Sequence, residues 1–100
     1  MPVYVVAHIA VEDAEAYREY QEAGLPTVAA AGGRIIAGGA GGVSLEGAPL
    51  PNGSAIVEFP SMEMAVDWYN SEEYQKTIPL RLHAATAHMI AVIPGFAPTT

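Results

Sequence analysis

The chain has 100 residues, 4 Lys+Arg against 11 Asp+Glu and a formal net charge of −7, and it is 51% hydrophobic but only 15% charged. That length holds one domain, and an acidic chain whose basic residues Arg18, Arg34, Lys76 and Arg81 form no run excludes nucleic acid as a partner. The absence of Cys removes disulfides, thiolate nucleophiles and Cys-based zinc sites together.

Small domains have the most surface per residue to cover, so a charge content below the usual quarter or so implies that part of the surface is turned away from water. Ala accounts for 18 of the hydrophobic residues, and the bulky remainder is enough for one core. The opening Met-Pro-Val-Tyr-Val-Val lacks a basic region, and the longest apolar run is far short of a bilayer span. A soluble cytoplasmic protein with no membrane partner is expected.

In chain order, Val3 to Val11 is rich in β-branched residues and predicts the first strand. Asp13 is placed to cap a helix with Glu15 in its first turn, and Ala16, Tyr17, Tyr20 and Ala23 recur at helical spacing. Gly24-Leu25-Pro26 is expected to break or kink that helix. Helical character resumes over Thr27 to Ala31, and Gly32-Gly33 ends it. Arg34 to Ala37 predicts the second strand.

Gly38, Gly39, Gly41 and Gly42 follow as a flexible stretch. No Gly-Lys-Ser/Thr follows and no helix begins there, so a mobile loop beside a cavity mouth is favoured over a phosphate cradle. Val43 to Leu45 is read as a short extension. Asn52-Gly53 is the strongest turn signal and leads into the third strand, Ser54 to Phe59, which Pro60 ends. Ser61 caps a helix through Tyr69 with Ala65, Trp68 and Tyr69 on its inner face, and Ser71 caps a second segment to about Ile78. Pro79 interrupts, Leu80 to Ala85 gives another turn or two, and His88 to Ile93 is the fourth strand. One domain over residues 1–95 and a tail over 96–100 complete the organisation.

This order is β-α-β-β-α-β, the ferredoxin-like α+β arrangement. It implies a four-stranded antiparallel sheet in the order 4-1-3-2 with two helices on one face. Val3, Val5, Ala7, Ile9 and Val11 form an apolar row for the helix side, leaving Tyr4, Val6, His8 and Ala10 on the other. The same alternation assigns Ile36, Ile56, Ile90 and Val92 to that second face, with Arg34, Ser54, Glu58 and His88. So many β-branched residues do not belong in water. A second copy of the chain packing sheet against sheet explains them, giving a homodimeric two-sheet barrel whose polar minority lines a cavity.

The segment Glu58-Phe59-Pro60-Ser61, with Glu63, Ala65, Trp68-Tyr69, Ser71 and Glu73-Tyr74 behind it, resembles the signature of the family known as domain of unknown function 1330. Ala31-Gly32-Gly33-Arg34, Tyr4-Val5-Val6, Glu46-Gly47 and Leu80-Arg81 share the resemblance, which runs over about residues 2 to 95. It implies membership of the dimeric α/β-barrel superfamily, whose relatives include cofactor-independent monooxygenases, muconolactone-type isomerases and haem proteins. Such breadth fixes no reaction. His8 departs from the family pattern, in which that position is usually acidic.

His8 and Glu58 are the candidate catalytic pair, since a histidine beside a carboxylate in an apolar cavity is suited to passing a proton. Tyr4, Arg34 and His88 are the candidate cavity-lining residues around them. Structural roles compete: Glu58 pairing with Tyr4, Arg34 or a partner-chain residue, and each His bonding to backbone. No His-Glu-x-x-His spacing supports a metal, no motif calls for a cofactor, and Trp68, Tyr69 and Tyr74 read as packing more than as a stacking platform. Two functions stay open: a small cofactor-independent enzyme acting on an organic molecule, or a non-catalytic dimer that binds a ligand or stabilises an assembly.

Overall fold

The computed structural model describes residues 1–96, so the expected tail lies outside the described residues except for Phe96. β1 (Val3–Val11) alternates buried and half-buried positions, because Val3, Val5, Ala7 and Ile9 all face one side. It forms the centre of a four-stranded antiparallel sheet with β2 (Arg34–Gly39), β3 (Gly53–Phe59) and β4 (Ala85–Pro94) in the order β2-β3-β1-β4. The strand order is the one the sequence implies, and the architecture fits a ferredoxin-like fold.

α1 (Ala14–Ala30) is a single helix, so Gly24-Leu25-Pro26 does not break it. Pro26 deprives the Glu22 carbonyl of its partner, but both residues are exposed and water reaches that side of the helix. The Thr27 hydroxyl adds a bond to the Gly24 carbonyl at 2.6 Å. Asp13 Oδ1 accepts from the Ala16 amide at the N-terminus, and Gly32 ends the helix at φ +89°, where L side chains are strained.

α2 (Met62–Asn70) and α3 (Glu72–Gln75) are capped by the hydroxyls of Ser61 and Ser71, which accept from the amides of Met64 and Tyr74. α4 (Ile78–Ala84) takes Pro79 into its first turn, where a missing amide hydrogen costs nothing, so Pro79 starts this helix and does not interrupt one. Val3, Val5, Val57 and Phe59 on the sheet meet Val28, Ala65, Trp68 and Tyr74 from the helices to form the core. No helix among the described residues is long and apolar enough to cross a membrane.

Two expectations about β4 fail for one reason. The strand begins at Ala85, directly after α4, and carries an irregularity opposite His8/Ile9, so counting from His88 misassigns its faces. Ile90 pairs with Ala7 and Val92 with Val5, which puts both on the helix side, packed against the core. Met89, Ala91 and Ile93 take the opposite face beside His8, Val6 and Tyr4. Ile56 sits on that uncovered face as expected, opposite Val6, whereas Ile36 falls at a bulge of β2.

The loop before β3 is exposed, and Val43 to Leu45 forms no strand. The Asn52 side chain closes the sheet end instead. Its Oδ1 accepts from the Val11 amide at 2.7 Å and its Nδ2 donates to the Val11 carbonyl at 3.0 Å, continuing the β1–β3 ladder by one rung.

Candidate functional site

The uncovered sheet face carries the residues singled out in the sequence. At one end Arg34 Nε donates to Glu58 Oε1 at 3.0 Å, and Tyr4 lies opposite Glu58 across the β1–β3 pair. His8 lies opposite Ser54, four residues away along both strands, or about 13 Å at the usual rise. One chain therefore brings Tyr4, Arg34 and Glu58 together and leaves His8 apart from them. His88 is exposed and adjoins Met89, the β4 partner of His8. His8 and Ser54 do share an open groove of about 550 Å³ with Val6, Ile56, Leu50 and the glycine stretch. Among the described residues no group of three His, Cys, Asp or Glu is placed to hold a metal.

The other side of the sheet holds a more enclosed space. A cavity of about 360 Å³ lies between α1 and the sheet, within the range of small-ligand sites. Protein interiors are normally packed without such voids. Small residues open this one: Ala7 on β1 and the buried Gly24 on α1 leave space that branched side chains would fill. Val5, Ile9, Val57 and Val28 make the floor apolar, and the exposed Gln21, Leu25 and Ile35 mark the opening.

An aromatic wall closes the inner end. Trp68 and Tyr74 pack at 4.3 Å between ring centroids, and Tyr20 stands edge-on to Tyr74 at 6.4 Å. The hydroxyls of Tyr20 and Tyr74 meet at 2.6 Å, and Trp68 Nε1 donates to Thr27 Oγ1 at 2.9 Å. Burial is the main cause that raises the phenols of Tyr17 and Tyr20 above their ordinary range, and the nearby Tyr74 adds to it. Both are neutral around pH 7 and serve as hydrogen-bond donors to an oxygen, not as bases or nucleophiles. Trp68 and Tyr74 are core residues, as the packing reading has it, and they also line this cavity.

The profile of the family described as domain of unknown function DUF1330 matches residues 2–95. The chain belongs to this family. Among solved structures, this DUF1330 chain is similar to RPA0582, a protein of unknown function from Rhodopseudomonas palustris. They share 20% identity and a TM-score of 0.77 over 97% of this chain and 84% of that one. The methylated RPA0582 protein gives 19% identity and a TM-score of 0.76 over 99% and 84%. At such identity the likeness is one of fold alone. No curated protein matches the chain.

The cavity of this DUF1330 chain is not among the features expected from its sequence. Tyr17 and Tyr20 entered only as members of an apolar stripe, although two hydroxyl-bearing residues three apart on a core-facing stripe are the visible signal. Ala7 and Gly24 gave a second sign, being small residues where a packed core expects large ones.

Proposed function

We propose that the chain binds a small, mainly apolar organic molecule bearing an oxygen function, held in the cavity between α1 and the sheet. The observation that carries this reading is the void itself, an apolar chamber of about 360 Å³ ending on Trp68, Tyr20 and Tyr74. Apolar walls supply affinity, and neutral phenols at one end orient an oxygen. Reduced packing in the core is tolerated where it makes room for a ligand.

The same reading makes the protein a homodimer of the dimeric α/β-barrel type. Val6, Ile56, Ala91 and Ile93 lie on a sheet face that no helix covers. The molecule is a slab 44 × 36 × 16 Å, and its broad face exceeds the about 800 Å² that each partner buries in a standard interface. A second copy seated there roofs the groove that holds His8 and Ser54 and brings a second set of Glu58 and Arg34 to the same interior. Light scattering that gives twice the chain mass at micromolar concentration supports this arrangement, and a monomer contradicts it.

Ligand binding is tested through Trp68, the one tryptophan of the chain and a wall of the cavity. Titration with small aromatic and aliphatic compounds is expected to change its emission saturably. Ala7→Leu, which fills the chamber from the sheet side, is expected to abolish that change in a folded protein. Saturation that survives Ala7→Leu places the ligand elsewhere and sinks the reading.

A further inference from the structure

Arg81 is 4% exposed, although it carries a guanidinium. Its Nε has no hydrogen-bond partner among the described residues, and the ion pair found there joins Arg34 to Glu58, so no carboxylate of those residues answers Arg81. Buried charges are normally paired. What Arg81 meets is the ring of Tyr20, whose centroid lies 5.9 Å from the guanidinium carbon. That ring is a wall of the ligand cavity.

The cavity lining points the same way. In a chain with 11 Asp+Glu, no acidic residue among the described residues lines this chamber, while the buried Arg81 backs its aromatic end. The field of Arg81 reaches both phenols there, opposing the rise that burial gives Tyr17 and Tyr20. Tyr20 and Tyr74 share one hydrogen bond between two hydroxyls. One O–H of the pair thus remains to donate outward. A positive field, a spare phenol proton and no competing acid make a site for negative charge.

We infer that the molecule held in the cavity is a small organic acid, with its carboxylate toward the Tyr17–Tyr20 end and its apolar body along Val5, Ile9 and Val57. This rests on the cavity being the ligand site, and it assigns the ligand class. Across the Tyr20 ring, the carboxylate supplies the counter-charge that Arg81 lacks among the described residues.

The test is titration of Trp68 emission with matched probes, benzoate against benzamide and hexanoate against hexanamide, at neutral pH. Wild type is expected to bind each acid at least about tenfold more tightly than its amide, equal to ~1.4 kcal/mol. Arg81→Met is expected to lose that preference while keeping its affinity for the amides, and Arg81→Lys to retain part of it. Equal binding of acid and amide to wild type overturns the acid assignment and leaves the cavity reading standing. Failure of all four probes to bind overturns both. The wild-type comparison needs no variant to fold, and an acid preference that persists in folded Arg81→Met also overturns the inference.

Discussion

The hydroxyls of Tyr20 and Tyr74 meet at 2.6 Å, tying the middle of α1 to the short helix α3 beside the cavity. Tyr74 is 2% exposed, so removing its partner leaves a buried hydroxyl without its bond. Tyr20→Phe and Tyr74→Phe are each expected to cost about 1–2 kcal/mol in urea denaturation. The double variant is expected to cost less than the two singles added together. Strict additivity would show that the contact carries no coupling energy.

Alkaline pH acts on Tyr20 and on its neighbour Tyr17. Tyr20 and Tyr17 are held above the ordinary phenol value of 10.0, chiefly by burial, so above that pH the unfolded chain releases protons that the folded chain keeps. The folded state then binds more protons and stability falls as pH rises past 10.0 toward the folded values, whereas below 10.0 the contribution is constant. For Tyr20 the slope is about 1.4 kcal/mol per pH unit. The more exposed Tyr17 adds less. Urea midpoints measured on both sides of that pH are expected to show the decline, and Tyr20→Phe to make it shallower.

Gly24, inside α1, and Gly33, in the link from α1 to β2, make opposite predictions. A Cβ at Gly24 meets nothing closer than 3.7 Å and the backbone is helical, so Gly24→Ala is expected to stabilise by about 0.5–1 kcal/mol. A Cβ at Gly33 falls 2.6 Å from the fully buried Phe59 ring, and Gly33→Ala is expected to destabilise by about 1–3 kcal/mol. Thermal melts of both variants against wild type check the signs.

Asn52 takes the place of a strand residue opposite Val11. Asn52→Ala leaves both polar backbone groups of Val11 without their partners. The site is exposed and water substitutes in part, so a loss of about 1–2 kcal/mol is expected. Faster hydrogen exchange is expected at the Val11 amide. Unchanged exchange there would show that the side chain does not extend the ladder.

Strand content and order were legible because alternation in Val3 to Val11 and the caps Asp13, Ser61 and Ser71 are local signals that tertiary packing reinforces. The continuity of α1 was not, because the cost of Pro26 depends on whether Glu22 faces water, which only the packed helix decides. The faces of β4 were lost to a single irregularity opposite His8/Ile9, since one extra residue inverts every later assignment. His8 and Glu58 share a face, and the antiparallel strand order alone already sets Glu58 beside Tyr4 and away from His8. The cavity is not legible in the sequence because patterns record which residues turn inward and not whether their volumes fill the space.

The central claim is that the ligand lies between α1 and the sheet. A crystal structure of the protein grown with benzoate measures this most directly. The account predicts density for the ring against Val5 and Val57, with its carboxylate at the Tyr17–Tyr20 end beside Trp68. Density confined to the groove beside His8 and Ser54, with the inner chamber empty or closed, would contradict it.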